Sequence, residues 1–266
     1  MNKKKIKIAI SGAFGKMGKC LIKESKKFNK IDLSLLIIRK KEKKKNNIYK
    51  KYIKNNNIIK NSIKNNKNFD ILIDFTTPKN TMKNLDFCYK NNKKIIIGTT
   101  GLSKKNYSYI KKKSKKISIL YSSNFSIGIN LMLKLLKITT KKIGKISDIE
   151  ISEAHHRHKI DSPSGTALTL GKKIAKNMNW DFNKVSVLNR NKKNYKRKKK
   201  EIGFTSIRAG EIIGNHSVIF AGLGETLTIK HQAFNRKTFA QGAIKAAIWI
   251  KNKKNGLFNM EDVLKK

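Results

Sequence analysis

The chain has 266 residues, 38% of them hydrophobic and 30% charged, which is enough for one large or two modest folded domains. This composition excludes a fully disordered chain, and no apolar stretch approaches the length of a membrane span. The 63 lysines and arginines outnumber the 16 acidic residues and give a formal net charge of +47. Taken alone, that charge indicates a nucleic acid or an anionic membrane as a partner.

The distribution of the charge points away from such partners. Arginines are few, and the lysines alternate with asparagine and isoleucine along the whole chain, as in "KKNNIYKKYIKNNNIIKNSIKNNKNF". These three residue types share A/T-rich codons, so compositional drift accounts for the pattern. Nucleic-acid readers usually carry organised arginine forks and aromatic platforms, and neither is organised here. We expect no specific nucleic acid and no membrane partner, with non-specific polyanion binding as a side effect.

The cysteines and the N-terminal segment indicate a cytoplasmic protein. Cys20 and Cys88 are too few for a disulfide framework, which favours a reducing compartment. The opening "MNKKKIKIAISG" has a basic start, but its apolar run is interrupted by Lys7 and is too short for a signal peptide.

The first half of the chain alternates short apolar runs with segments of helical length. A helix is predicted from Gly12 to about Phe28, and residues 39–68, rich in lysine and asparagine, are expected to form a loose connection or a poor helix. The alternation predicts a parallel sheet covered on both faces, a Rossmann-like dinucleotide-binding domain. Its predicted strands are residues 6–12, 33–38, 69–76, 94–100 and 117–123.

The second half has a different pattern, which predicts an α+β domain with a mixed sheet. A long amphipathic helix from residue 126 leads to a strand at 148–154 and a helix from Ser164 to about Met178. Strands at 203–209, 215–222 and 225–233 then follow without intervening helices. Residues 189–200 are expected to be a solvated loop, and a helix at 238–253 is expected to pack on the first domain. The predicted domains are 1–126 completed by 236–266, and 127–235.

A glycine-rich turn follows the first strand in "SGAFGKMGK". Gly12, Gly15 and Gly18 approximate the dinucleotide fingerprint, in which glycines permit a tight turn and close approach of a pyrophosphate to a helix N-terminus. Phe14 occupies the usual second glycine position, so the motif is imperfect. A P-loop is excluded because Lys19 is followed by Cys20 rather than by serine or threonine.

The end of the second strand indicates the cofactor. It reads Ile38-Arg39-Lys40-Lys41, with no carboxylate before Glu42 to bind the ribose 2′-hydroxyl of NAD. Arginine and lysine suit a 2′-phosphate, so NADPH is expected to be accepted and to be preferred over NADH. The competing interpretation is a lysine-rich surface without specificity.

Three of the five histidines fall in "EAHHRHKIDSPSGTA", residues 153–167. A metal site is not expected, because His155 and His156 point to opposite faces of an extended segment and no helical ligand spacing is present. The "SPSGTA" segment predicts a helix start whose free N–H groups bind a carboxylate. Lys159 adds a positive charge and a histidine can deliver a proton near neutral pH. Together with a nicotinamide-binding domain, the helix start, the lysine and the histidine predict reduction of a carboxylate-bearing compound. His158 is expected to be a structural residue.

Residues 153–167 also resemble the signature motif of a known enzyme family. Further matching segments are spread over nearly the whole chain. These are "GAFGKMGK" in the glycine turn, "DFT" at 74–76, "IGTTG" at 97–101, "SSNFSIGIN" at 122–130, "FTSIRAGEIIGNH" at 204–216 and "FAQGAIKAAIW" at 239–249. On these motifs the sequence resembles the 4-hydroxy-tetrahydrodipicolinate reductase (dihydrodipicolinate reductase) family of lysine and diaminopimelate biosynthesis.

The resemblance implies NAD(P)H-dependent reduction of (2S,4S)-4-hydroxy-2,3,4,5-tetrahydrodipicolinate to tetrahydrodipicolinate, with loss of water, by a homotetramer. It implies that His155 donates a proton and that Lys159 is its cationic partner. Substrate contacts would come from His156, Gly165 and Thr166. Cofactor contacts would come from Gly12, Ala13, Phe14, Gly15, Lys16, Met17, Arg39, Gly98, Thr99, Thr100, Ser122, Ser123, Asn124 and Phe125.

Two departures from the family and two alternative functions accompany this assignment. Ile38 stands where many bacterial members have an acidic residue, and the contacts of 39–68 and 183–201 cannot be transferred. One alternative is another nicotinamide-dependent reductase of a small dicarboxylate. The other is a basic polyanion-binding protein built on a Rossmann-like scaffold.

Overall fold

The computed structural model describes residues 5–39, 58–190 and 196–265, which form two compact units. The first unit comprises Met1–Ile127 and Arg236–Lys266, and the second comprises Gly128–Asn235. In chain order the elements are β1 (Ile6–Ser11), α1 (Lys16–Ser25), β2 (Ile31–Ile37), β3 (Ile59–Lys60), β4 (Ile71–Asp74), α2 (Pro78–Lys90), β5 (Lys94–Ile97), α3 (Lys104–Lys113), β6 (Ser118–Tyr121), α4 (Ile127–Ile143), β7 (Asp148–His155), α5 (Gly165–Asn177), α6 (Phe182–Val185), β8 (Ser186–Val187), β9 (Ile202–Arg208), β10 (Gly214–Ala221), β11 (Thr226–Ala233), α7 (Lys237–Ile250), β12 (Gly256–Phe258) and α8 (Met260–Val263).

The first unit contains a parallel sheet with the strand order β12-β6-β5-β4-β1-β2-β3. Successive strand residues face opposite sides of the sheet, and helices cover both sides. Ile8 and Ile10 of β1 pack in the core that includes α1 and α7, whereas Ala9 packs in the core that includes α2 and α3. The apolar runs of these strands are continuous because neither face meets water. The predicted Rossmann-like architecture is confirmed.

Helix α7 packs within the first unit. Its small residues Ala240, Ala243 and Ala247 are fully buried in the same core as Leu21 and Ile22 of α1. Gly242 lies against the backbone of Phe125, so close that a Cβ at this position would overlap the Phe125 carbonyl oxygen. Small side chains therefore set how closely α7 approaches its neighbours.

The second unit contains a mixed sheet with the order β11-β10-β7-β9-β8. Strand β10 runs antiparallel to β7 and β11, whereas β9 runs parallel to β7 and β8. One face packs on α4 and α5 through Ile149, Ile151 and Val218, with Leu136 and Ile174 on the helices. The mixed sheet of the predicted α+β domain is confirmed.

Several short elements were not expected from the sequence. Strand β3 lies within the segment expected to be a loose connection or a poor helix, and it extends the sheet beyond β2. Strands β8 and β12 and helices α6 and α8 are also additional, and each has only two to four residues. Two to four residues carry too little periodicity to distinguish strand from helix. The rest of the expected loose connection, residues 40–57, lies outside the described chain.

The described part of the basic stretch at 189–200 forms no helix or strand and is mostly exposed, as expected for a solvated loop. Arg190 pairs with Glu150 at 2.7 Å, and Arg197 pairs with Glu150 at 3.2 Å and with Asp148 at 2.6 Å. These surface ion pairs attach both arginines to carboxylates on β7, and residues 191–195 lie outside the described chain. Among the helices that the structure describes, none is both long and apolar enough to cross a membrane.

We expect Gly242→Ala to lower the free energy of unfolding by about 1–3 kcal/mol, the usual cost of overpacking, although alanine is the better helix former. The added Cβ would overlap the Phe125 carbonyl and displace α7. Urea denaturation measures the change. Gly224→Ala is the matched control, because a Cβ there meets nothing within 4 Å. A Gly242→Ala protein as stable as the unmodified chain would contradict the close packing.

Candidate active site

A cleft of about 430 Å³ opens at the carboxyl ends of the parallel strands in the first unit. In a parallel α/β sheet this edge is where ligands bind. The cleft is lined by Ser11, Gly12, Gly15, Ile37, Ile38, Arg39, Asn61, Phe75, Thr76, Thr77 and Asn80.

The glycine turn forms one wall of the cleft. Gly12 has a φ of +71°, which side-chain-bearing residues rarely adopt, and its N–H donates to the carbonyl of Ile37 at 3.0 Å. A Cβ on Gly18 would overlap the carbonyl oxygen of Gly12, so only glycine lets α1 begin this close to the turn. Gly15 is the N-cap of α1 and offers no side chain to its first N–H groups. Those N–H groups suit an anion such as a pyrophosphate.

A buried polar network lies beneath this turn and joins β1, β4 and α2. Asn84 donates to the Ser11 hydroxyl at 2.9 Å and to the Asp74 carboxylate at 3.0 Å. The Thr76 hydroxyl donates to Asp74 at 2.6 Å, and Thr99 accepts from the Thr76 N–H at 3.1 Å. Burial raises the pKa of Asp74 above its ordinary value of 3.8 despite these hydrogen bonds. The network holds the strand ends that line the cleft.

The structure places the predicted cofactor residues in three settings. Gly12, Gly15 and Arg39 line the cleft. Lys16 and Met17 begin α1, while Thr100, Ser123 and Asn124 follow strands β5 and β6 at the same edge of the sheet. The others do not line the cleft: Ala13, Phe14, Thr99 and Phe125 are buried, Gly98 abuts the Phe75 ring, and Ser122 bonds within its own turn.

Sequence reasoning missed the cleft residues contributed by the segment after β4. Phe75, Thr76 and Asn80 line the cleft, but "DFT" served only as evidence of resemblance. Asn61, which follows β3, was also missed because it lies in the lysine- and asparagine-rich segment. The signal available was topological, since a polar segment directly after a buried parallel strand lies at the ligand-binding edge.

In the second unit, a cluster of polar residues lies at the end of β7. Glu153 and His155 are two residues apart on the strand and therefore face the same side of the sheet. Glu153 pairs in register with His216 on β10, and His155 pairs in register with Arg208 on β9. Three adjacent strands thus bring these four side chains together.

The carboxylate of Glu153 is 2% exposed and accepts four hydrogen bonds. Its Oε2 accepts from His155 Nδ1 at 2.5 Å and from Arg208 Nη1 at 3.0 Å. Its Oε1 accepts from Arg208 Nη2 at 2.7 Å and from the Ser164 N–H at 3.1 Å. Burial acts to raise the pKa of Glu153, but the hydrogen bonds from His155 and Arg208 outweigh it and lower the pKa to about 2. Glu153 is therefore ionised at neutral pH.

Helix α5 begins beside this cluster. Ser164 is the N-cap, and its hydroxyl accepts from the Ala167 N–H at 3.2 Å and contacts His216 Nε2 at 3.1 Å. A Cβ on Gly165 would meet nothing within 4 Å, so open space adjoins the helix start. Thr166 follows in the first turn. The predicted helix start is therefore in place, with its N-terminal end next to His155 and Glu153.

The remaining residues of the histidine stretch occupy the loop before α5. Lys159 is half-buried and pairs with the Asp161 carboxylate at 2.7 Å. His156 is half-buried and His158 is exposed, with 6.3 Å between their ring centroids. Across residues 5–39, 58–190 and 196–265, no three histidine, cysteine or acidic side chains form a metal-binding cluster.

Glu153, Arg208 and His216 were not predicted as site residues. Only Glu153 could have been found from the sequence, because an acidic residue two positions before a histidine on a strand shares its face. Arg208 and His216 come from distant segments, so only the pairing of β9 and β10 with β7 places them here.

We expect the protein to lose stability as the pH falls from about 6.5 towards 3. Burial, and secondarily the nearby His155, lower the pKa of His216 from its ordinary 6.5 to about 3. The unfolded chain therefore takes up this proton first, and acid favours unfolding by a few kcal/mol. Urea denaturation at a series of pH values measures the loss. His216→Gln is expected to show a flatter profile in this range; an unchanged profile would contradict the assignment.

Comparisons with known proteins agree over the whole chain. Residues 6–125 match the family model described as "Dihydrodipicolinate reductase, N-terminus", and residues 128–264 match "Dihydrodipicolinate reductase, C-terminus". The 4-hydroxy-tetrahydrodipicolinate reductase of Buchnera aphidicola subsp. Cinara cedri (strain Cc) is 52% identical and covers 99% of this chain and 98% of its own. The enzyme of the same name from Buchnera aphidicola subsp. Baizongia pistaciae (strain Bp) is also 52% identical, over 99% of both chains.

A solved structure shows the same fold. The dipicolinate-bound dihydrodipicolinate reductase from Paenisporosarcina sp. TG-14 superposes with a TM-score of 0.76 at 24% identity, over 98% of this chain and 100% of the other. The matches to both halves of the family model and the identity over nearly the full length lead to one conclusion. The chain belongs to the dihydrodipicolinate reductase family.

Proposed function

We propose that this protein is a 4-hydroxy-tetrahydrodipicolinate reductase that acts in lysine and diaminopimelate biosynthesis. It reduces (2S,4S)-4-hydroxy-2,3,4,5-tetrahydrodipicolinate with NAD(P)H and a proton, and releases tetrahydrodipicolinate, NAD(P)⁺ and water. The observation that carries this proposal is 52% identity, over 99% of the chain, to a protein of that name.

The cofactor binds to the first unit in this proposal. The turn from Gly12 to Met17 holds the diphosphate at the uncapped start of α1, and Arg39 contacts the adenosine ribose at the rim of the cleft. The residues present fit such a group, because the cleft is open and the glycines let the backbone approach. Bound NAD(P)H supplies the hydride for C4 of the substrate ring. Gly98 to Thr100 and Ser122 to Phe125 support the nicotinamide side.

The substrate is a small dicarboxylate, and the second unit carries the groups that suit it. Helix α5 begins at Gly165 beside open space, with Thr166 in its first turn, and a helix N-terminus favours a carboxylate. In this structure the Asp161 carboxylate accepts from the Gly165 N–H. Lys159 contributes a positive charge, and His156 lies in the same loop. Departure of the 4-hydroxyl as water requires a proton, and we assign its delivery to His155, at the edge of this pocket.

Two further features belong to the proposal. We propose that four copies assemble into a tetramer through the sheet of the second unit, which packs on helices with one face. We also propose a reducing, cytosolic location, because both cysteines are free.

The activity test supplies hydroxy-tetrahydrodipicolinate made in situ and follows oxidation of NADPH. We expect turnover by the unmodified protein and a kcat lower by about 10²- to 10⁴-fold in His155→Gln and in Lys159→Ala, the range for positioned acid-base groups. His158→Gln and Lys142→Ala are the matched controls, because both side chains are exposed and neither belongs to the pocket.

No turnover by the unmodified protein would overturn the proposed function. Turnover with unchanged kcat in both His155→Gln and Lys159→Ala would leave the function standing and remove the assigned roles.

The cofactor preference rests on Arg39, and we propose that it favours NADPH. Arg39→Ala is expected to lower kcat/KM for NADPH about 10-fold or more and to leave that for NADH nearly unchanged, because only NADPH carries the 2′-phosphate. Lys60→Ala is the control, since this exposed cation lies on the neighbouring strand and does not line the cleft. Equal losses with both cofactors, or a strong NADH preference in the unmodified protein, would contradict the role of Arg39.

A further inference from the structure

The hydrogen bonds around Glu153 determine which ring nitrogen of His155 carries a proton. The Ser164 N–H and the Arg208 guanidinium can only donate, so the ionised carboxylate accepts from both. An ionised carboxylate has no proton to give, and the 2.5 Å contact with His155 must therefore be donated by Nδ1–H. The remaining ring nitrogen, Nε2, is left to gain and lose a proton.

The surroundings of His155 limit both the space and the charges near its ring. Gly214 packs close to Nε2, since a Cβ at this position would lie only 3.1 Å from that nitrogen. His216 contacts the ring edge-on, with 5.1 Å between centroids, and its pKa of about 3 keeps it neutral. Among the described residues, Glu153 is the charged group that hydrogen-bonds to the ring, and Arg208 binds Glu153 in turn.

Arg208 links the Glu153 carboxylate, which binds His155, to the loop before α5 that carries Lys159. Besides its two bonds to Glu153, its Nη2 donates to the carbonyl oxygen of Asp161 at 2.6 Å. Asp161 in turn binds the Lys159 ammonium through its carboxylate. One guanidinium thus holds both the carboxylate behind His155 and the loop that carries Lys159.

We propose that Glu153 and Arg208 are positioning residues for the reduction. The Glu153 carboxylate holds the His155 imidazole with a proton on Nδ1, so that Nε2 delivers the proton to the substrate. Arg208 fixes that carboxylate and the Lys159 loop in one arrangement. The inference rests on the proposed role of His155 as the proton donor.

Glu153→Gln reverses the polarity of this contact with little change in shape. The glutamine has one acceptor oxygen, which Ser164 and Arg208 Nη2 retain, and its NH₂ group then faces His155 Nδ1. Nδ1 must accept rather than donate, so the neutral ring changes to the Nε2–H tautomer. In Glu153→Gln the protonated His155 ring also loses the negative charge of the Glu153 carboxylate beside it.

The tautomer is measured by ¹⁵N NMR of protein labelled at histidine, with the His155 signals identified by their loss in His155→Gln. We expect Nδ1–H in the unmodified protein and Nε2–H in Glu153→Gln. An Nε2–H tautomer in the unmodified protein would overturn the inference, whether or not any variant folds.

Steady-state kinetics of the same variant give a second readout. We expect Glu153→Gln to lower kcat by about 10²-fold or more, as when a histidine is held in the wrong tautomer, with the KM for NADPH within about twofold. Glu150→Gln is the matched control: Glu150 also lies on β7 and pairs with arginines, but it does not contact His155.

The outcomes separate this inference from the proposed function. An unmodified protein that does not turn over hydroxy-tetrahydrodipicolinate removes the function, while the tautomer still tests the role of Glu153. Normal turnover, with the same kcat and tautomer in Glu153→Gln as in Glu150→Gln, removes the inference alone.

Discussion

The candidate active site depends on a single buried charge. A carboxylate removed from water keeps its charge only when donors replace its hydration, and Glu153 obtains four of them. They come from β7 itself, from β9 and from the start of α5. Satisfying this one group therefore determines the direction of the His155 ring, the position of the helix start and, through Arg208, the Lys159 loop.

The first unit is organised by a steric constraint instead of a charge. Glycine at position 12 lets the backbone adopt a positive φ in the turn. Glycine at position 18 lets α1 pack against the carbonyl of Gly12. The buried Asp74 network then holds the neighbouring strand ends at the same edge. Close approach of the backbone and fixed strand ends are what a diphosphate site requires.

The charge of +47 has little bearing on either site. Within the described residues, the buried ionisable side chains are carboxylates, imidazoles and the Cys88 thiol, and no lysine or arginine is buried. Lysine ammonium groups stay in water while their stems cover apolar surface, so lysines accumulate at exposed positions at little cost in stability. The residues that differ from this background lie in the turn, in the polar networks and at the helix start, where packing or hydrogen bonding allows few alternatives.

The sequence by itself determined the family, the two sheet types and most long elements, because strand alternation, helix length and the 153–167 motif are local patterns. It also placed His155, Lys159 and the α5 start in one segment. It did not identify β3 or the other elements of two to four residues, which are too short to carry a periodicity of their own. Only the tertiary structure brought Arg208 and His216 to Glu153, and Phe75 and Asn61 to the cleft. Strand pairing joins residues far apart in the chain, and no local pattern encodes which strands will be neighbours.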